Sequence, residues 1–195
     1  MPFTRSPAIF LDRDGVILEN REDYIKSVAE AVFAPRALEA LARLAATRYR
    51  IVIATNQSLI GRGIIPVAAA RAINHWVLSE IGRAGGRIDA VYICPHAPDA
   101  GCTCRKPKPG MLLDAAADLA LDLTNSIFIG DALTDVQAAE AAGVRAVLVR
   151  TGRGWEQAQL LSANGFAHVP VYDDLMAAVE AILDGKLPHA KAQSR

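Results

Sequence analysis

Five short runs of the chain are apolar without interruption: residues 8–11, 51–54, 90–93, 127–129 and 146–149. Continuous apolar runs of this length, bounded by polar or turn residues, predict strands buried on both faces, as in a parallel sheet. Apolar positions at helical spacing fall between them. Leu38, Leu41, Leu44 and Ala45 follow Pro35 and predict one helix. Val67, Ile73, Trp76, Val77 and Ile81 predict a second, ending at Gly85-Gly86. Residues 111–121 predict a third, and 134–142 a fourth that Gly143 would stop as its C′ residue. Leu175, Val179, Ile182 and Leu183 predict a last helix capped by Asp173 or Asp174, and residues 186–195 read as a loose polar tail. Strands alternating with helices predict an α/β fold with right-handed crossovers, helices on both faces of a parallel sheet, and one domain over residues 1–185.

Composition narrows the class. The 195 residues are 52% hydrophobic and 22% charged, which excludes intrinsic disorder. Lys+Arg and Asp+Glu both number 21, so no basic excess points to nucleic acid. The first eleven residues carry no charged leader before a long apolar stretch, and no apolar run approaches the ~20 residues that span a bilayer. The expectation is a cytoplasmic protein with neither a membrane nor a nucleic-acid partner. Even charge and the absence of an apolar exposed stripe make a monomer the expected state.

In open parallel sheets ligands bind beyond the carboxyl ends of the strands. The first apolar run is followed by Asp12-Arg13-Asp14-Gly15, the second by Thr55-Asn56-Gln57, and the fourth by Gly130-Asp131 with Asp135 four residues on. One such acid is readily a helix or turn cap; three at strand ends, with Thr55 and a basic loop, read as a reactive set. Two carboxylates ~4 Å apart repel by roughly 4 kcal/mol at an effective dielectric of 20, so Asp12, Asp14 and Asp131 call for a hard divalent cation. Oxygen-only ligands beside a phosphate favour Mg²⁺. The basic loop is Arg105-Lys106-Pro107-Lys108-Pro109, which its prolines keep out of a helix. Together these groups imply phosphoryl transfer to water: Asp12 as nucleophile, Asp14 as general acid and base, Thr55 on the phosphoryl oxygens, Lys106 neutralising charge and Arg105 gripping an oxygen.

The three cysteines, Cys94, Cys102 and Cys104, share one segment with His96. Three thiols and an imidazole form the ligand set of a closed, structural Zn²⁺ site, and the loop they would fix runs directly into Arg105-Lys106. Ordinary loop cysteines or a small redox pair is the plainer reading. Other features read as structural. Asp114, Asp118 and Asp122 form a solvated face, His75 lies at the surface or core edge, and Trp155 packs its loop. Gly152-Arg153-Gly154 is too little for a dinucleotide site, and His168 and His189 are incidental.

Asp12-Arg13-Asp14-Gly15, Thr55-Asn56-Gln57-Ser58, Arg105-Lys106-Pro107 and Gly130-Asp131…Asp135 resemble the four motifs of haloacid-dehalogenase-superfamily phosphatases. The Cys94/His96/Cys102/Cys104 loop resembles that of the zinc-containing branch, and the segments 94–111 and 55–63 look more like its heptose-bisphosphate enzymes than its histidinol-phosphate enzymes. The resemblance covers residues 8–152 and implies a capless Rossmann-like phosphatase. It implies Mg²⁺ held by Asp12, Asp131 and the main-chain carbonyl of Asp14, and substrate contacts at Arg13, Asn56, Gln57, Ser58 and Arg105, with residues 20–23 near the sugar. Independently, the intervals from Asp14 to Thr55 and from Thr55 to Lys106 leave room for little beyond a helix and its connections. Leu59 stands where relatives carry glycine, so this turn is expected to follow a different backbone path. Ala132 stands where some carry a basic residue. The expected substrate is a sugar phosphate, with histidinol phosphate as rival and a catalytically idle zinc-stabilised binding module as the alternative of a different kind.

Overall fold

A computed structural model describes residues 5–187. All five predicted strands are present: β1 (Ala8–Leu11), β2 (Arg50–Asn56), β3 (Ala90–Cys94), β4 (Ile127–Gly130) and β5 (Arg145–Val149). The predicted helices are α1 (Ala37–Ala45), α3 (Val67–Arg83), α4 (Gly110–Leu119), α5 (Leu133–Ala141) and α7 (Leu175–Leu183), joined by a single turn, α2 (Ser58–Gly61), and by α6 (Gly154–Leu160). A sixth strand, β6 (Val171–Tyr172), is too short to give a pattern. The six strands form one parallel sheet in the order β3-β2-β1-β4-β5-β6.

The uninterrupted apolar runs follow from two cores. Successive strand side chains point to opposite faces. Ile9, Leu11, Ile51, Ile53, Ile127, Ile129, Val147 and Val149 meet α1, α3 and α7 on one side. Ala8, Phe10, Val52, Ala54, Phe128, Ala146 and Leu148 meet α4 and α5 on the other, where the Phe10 and Phe128 rings lie 6.2 Å apart. Neither parity is free to be polar.

β1 connects outward to β2 and β3, whereas β4 lies on its other side, so the chain reverses its winding between β1 and β4. That junction leaves a crevice at the carboxyl ends of the two strands. The β1–β2 connection carries a loop, a 3-10 turn at Val28–Glu30 and α1, and among the described residues no second folded unit interrupts it. The fold is capless. Among the described residues no helix is long and apolar enough to cross a membrane.

Several expectations change in detail. Trp155 does not pack its loop: it is 66% exposed, with the Arg150 guanidinium 5.0 Å from its ring centre. Asp118 is exposed as expected but accepts a hydrogen bond from the Tyr92 hydroxyl at 2.8 Å. His168, read as incidental, pairs with Glu140, while His75 is exposed as expected. Of the predicted loose tail, Leu187 is buried in the first core, while residues 188–195 and His189 lie outside the described residues. Gly143 does follow α5 with φ of 71°.

The cap of α7 is Asp174, whose carboxylate accepts from the Ala177 N–H at 2.7 Å, whereas Asp173 pairs with Arg150 in solvent. Asp174→Ala should therefore cost about 1 kcal/mol and lower Tm by roughly 2–4 °C. Asp173→Ala should leave Tm within about 1 °C, because an exposed ion pair contributes little. Thermal unfolding of the two variants separates the roles.

Candidate active site

Lys106 stands at the floor of the crevice. It is 3% exposed, and its ammonium group donates to Asp12 Oδ1 at 2.8 Å and the Ala54 carbonyl at 2.9 Å and contacts Asp135 Oδ1 at 2.7 Å. Three N–H donors thus meet three acceptors. Burial works against the Lys106 charge, but Asp12 and Asp135 outweigh it and hold the amine above the ordinary lysine range. The loop bearing Lys106 is aimed by Asn56 at the end of β2. Its side-chain amide donates to the Lys106 carbonyl and accepts from the Lys106 N–H, both at 3.1 Å.

Asp12 follows β1 and Asp131 follows β4, one on each side of the winding reversal. Asp12, Asp131 and Asp135 are all buried, with carboxylate oxygens within 4.8 Å of one another. Asp135 was not among the expected site residues beyond its place in the motif. At the third position of α5 its Oδ2 accepts from the backbone N–H groups of Asp131 and Ala132, which fixes the turn carrying Asp131. The signal was visible as an acid three residues after the helix N-cap.

Asp131 is fully buried, and its Oδ1 has no hydrogen-bond partner. Its Oδ2 accepts from the Arg153 N–H at 2.9 Å. Gly15 (φ 99°) and Gly152 (φ 58°) enclose the carboxylate so tightly that a Cβ on either would collide with it. The Gly152-Arg153-Gly154 segment, read as uninformative in the sequence, is thus a wall of the site. Burial is the main force raising Asp131 to about 7, helped by Asp135 and Asp12. Burial likewise raises Asp12 to about 6 against the pull of Lys106.

The expected acid trio needs correction. The carboxylate of Asp14 is not grouped with those of Asp12 and Asp131; Asp135 takes that place. Asp14 instead receives Arg13 Nε at 2.7 Å and NH2 at 2.9 Å, and Gln57 Nε2 at 3.2 Å. Arg13 is 1% exposed and anchored by Asn74 of α3 at 2.7 Å. Arg13 and Gln57 are buried against Asp14, and neither is among the residues that line the cleft. An exposed guanidinium would be solvated; this one is buried because a carboxylate and an amide satisfy it. Gln57 also donates to Thr55 Oγ1 at 3.0 Å.

The cleft encloses about 270 Å³, with Asp12, Asp14, Thr55, Asn56, Ser58, Arg105 and Lys106 on its surface. Asn20, Arg21, Glu22 and Tyr24 line the side expected to lie near a sugar, with Thr134 and Arg153 among the remaining lining residues. Leu59, where a changed path was expected, lies in α2 with its side chain buried and no positive φ. A helical turn accepts leucine without strain.

The sulfur cluster assembles as anticipated. Cys94 Sγ lies 3.7 Å from Cys102 Sγ and 3.6 Å from His96 Nδ1, and Cys104 Sγ lies 3.3 Å from the same nitrogen. Ligands ~2.3 Å from a tetrahedral metal stand roughly 3.8 Å apart, so the spacing fits Zn²⁺. Burial and the adjacent thiols push Cys104 up to about 12, a proton that a bound cation would displace. The loop is braced by hydrogen bonds from the Gln57 N–H to the Cys94 carbonyl and from the Gly61 N–H to the Pro95 carbonyl, each 2.8 Å. Lys108 Nζ ties it again at the Cys102 carbonyl.

Residues 103–178 match the HAD-hydrolase-like family model. The chain is 39% identical to the D-glycero-beta-D-manno-heptose-1,7-bisphosphate 7-phosphatase of Pseudomonas aeruginosa, covering 90% of this chain and 97% of that protein. Identity to the Bordetella bronchiseptica enzyme of the same name is 40%, with the same coverage. The crystal structure of D,D-heptose 1,7-bisphosphate phosphatase from B. bronchiseptica, complexed with magnesium and phosphate, matches with a TM-score of 0.86 over 92% of this chain and 99% of that one. The chain belongs to the haloacid-dehalogenase-like phosphatases.

The residues of this phosphatase fit Mg²⁺. The orphaned buried Oδ1 of Asp131, with Asp12 and Asp135 near it, is an all-oxygen, electron-rich pocket, and at 4.8 Å each like-charged pair repels by roughly 3–4 kcal/mol at a dielectric of 20. Asp12 and Asp131 have the free coordinating capacity; Asp135 is spent on Lys106 and two backbone N–H groups.

The raised acids set a pH dependence. With pKa values near 6 and 7 in the fold against 3.8 for the free group, the metal-free protein binds extra protons between about pH 4 and 7. Their stabilising contribution is present below pH 4 and lost as pH rises through 6 and 7. A divalent cation reverses that loss. The increase in Tm on adding Mg²⁺ should therefore be larger at pH 8 than at pH 5, and Asp131→Asn should abolish most of it; calorimetry with and without Mg²⁺ checks this.

Proposed function

We propose that this phosphatase removes the 7-phosphate of D-glycero-D-manno-heptose 1,7-bisphosphate through an aspartyl-phosphate intermediate, in the cytoplasm, where reducing conditions suit the zinc-binding thiols. One observation carries the mechanistic part. Asp12 has Oδ1 committed to Lys106 at the closed floor of the cleft, which leaves Oδ2 to attack. The substrate is supported by the names of the relatives, over nearly their whole length.

In this reading Asp12 Oδ2 forms a bond to phosphorus as the bond to the sugar oxygen breaks, and Asp14 delivers a proton to the departing alkoxide. Asp14 then takes a proton from a water molecule, which attacks the same phosphorus and releases inorganic phosphate and free Asp12. Arg13, anchored on Asn74, keeps Asp14 at the cleft wall. Thr55 and Ser58 hold phosphoryl oxygens, and Lys106 stabilises the charge developing between Asp12 and phosphorus. Arg105 recognises the substrate. Asp12, Asp131 and the main-chain carbonyl of Asp14 would hold Mg²⁺, which when bound would supply neutralisation of phosphoryl charge. Cys94, His96, Cys102 and Cys104 would hold Zn²⁺ in a closed, structural site, bracing the loop that presents Arg105 and Lys106.

Asp12→Asn should abolish turnover while retaining the fold and stoichiometric zinc, read by phosphate release, circular dichroism and metal analysis. Retained function on ligand binding alone would support the idle binding module instead. Side-by-side kcat/KM on heptose bisphosphate and histidinol phosphate in Mg²⁺ should favour the heptose by at least about 100-fold, the scale of two lost charge-assisted contacts. The reverse order would leave the chemistry in place and replace the substrate.

A further inference from the structure

The cations around the cleft differ in how completely the protein itself satisfies them. Lys106 has all three donors occupied. Arg13 is buried against Asp14, and Arg21 pairs with Asp23 at 3.1 Å. Two guanidinium groups lining the cleft remain. Arg105 forms no ion pair among the described residues, and its NH1 is buried without a hydrogen-bond partner. The nearest approach of the Arg153 guanidinium to a carboxylate is Nε at 3.7 Å from Asp131 Oδ2, too far for a hydrogen bond.

The backbone of Arg153 is nevertheless rigidly placed. Gly152 is pressed against Asp131 and the Cα of Gly15, and Gly154 against the Val149 carbonyl, so neither flank accepts a side chain. The Arg153 N–H is bonded to Asp131. The side chain is 53% exposed and lines the cleft. A fixed backbone with a forked, unspent cation at its tip is what recognition of a phosphate needs. The reacting phosphoryl group, by contrast, belongs at the buried floor beside Asp12, Thr55 and Lys106. Ala132, on the turn after β4, and Thr134, in the first turn of α5, bring no competing charge.

We propose that Arg153 is a specificity-determining residue that, together with Arg105, receives a second phosphoryl group of the substrate, remote from the one Asp12 attacks. The cleft then selects bisphosphorylated small molecules over monophosphates. This rests on the function proposed above and assigns its selectivity to a residue outside the motifs.

The test compares wild type, Arg153→Ala and Arg153→Lys on heptose 1,7-bisphosphate and heptose 7-phosphate, with Mg²⁺ affinity measured separately on substrate-free protein. The ratio of kcat/KM between the two substrates should fall about 10- to 100-fold in Arg153→Ala, chiefly through KM for the bisphosphate, and recover in part in Arg153→Lys, which restores charge without the fork. A preserved ratio, or a parallel loss on both substrates with weakened Mg²⁺ binding, would overturn the proposal and make Arg153 a counter-ion of Asp131. Equal kcat/KM for the two substrates in wild type would overturn it too. A wild type that hydrolyses neither would overturn the functional reading itself.

Discussion

The buried ammonium of Lys106 is the constraint around which the rest of the site is arranged. A lysine amine removed from water is tolerated only when opposite charge and hydrogen bonds replace its hydration. Here Asp12, Asp135 and the Ala54 carbonyl do so, which ties together the ends of β1 and β2 and the start of α5. Asp135 in turn fixes the turn that carries Asp131, and Asn56 fixes the backbone that carries Lys106. Each element has its own folding reason to be where it is. The charge cluster is affordable because the parallel sheet already brings those strand ends to one crevice.

With Arg13 matched to Asp14, the buried Asp12, Asp131 and Asp135 carry more negative charge than Lys106 balances. Burial answers part of the excess by raising Asp12 and Asp131 toward neutrality, and a bound divalent cation would answer the rest. The same low-dielectric floor that makes the acids costly makes a dication and a phosphoryl group welcome together. Capless architecture leaves selection to the walls: the loop after β1, the zinc loop and the segment between β5 and α6.

Much of this was readable from the chain. The strands announced themselves because both faces of the sheet are covered, and the acids after the first and fourth runs sit at the crevice as strand-end logic requires. The Cys-His spacing pointed to one metal, and the ligand atoms converge. What stayed hidden shares a physical cause. The resemblance gives Arg13 a substrate contact; that Asn74, far along the chain, anchors it behind Asp14 has no signal in the sequence. Spacing places the Asp14 carboxylate beside that of Asp12, and says nothing about its choice of Arg13 and Gln57 as partners. Gly152-Arg153-Gly154 looked empty because its glycines serve close approach to Asp131, a contact with no periodicity. β6, two residues long, falls below the length at which a pattern exists.

One rung of the sheet links the two metal-binding regions. Asn56 and Cys94 are register partners at the last step of the β2–β3 ladder. One of them clasps Lys106 and the other contributes a thiol to the zinc cluster. β3 is an edge strand, and ladders fray from their ends and edges first. Zn²⁺ on this cluster would act as a rivet at that end of the ladder. The rung that carries the Cys94 thiol is the rung that carries the Asn56 clasp on Lys106, so the endurance of an edge strand and the aim of the lysine on the nucleophile share one support.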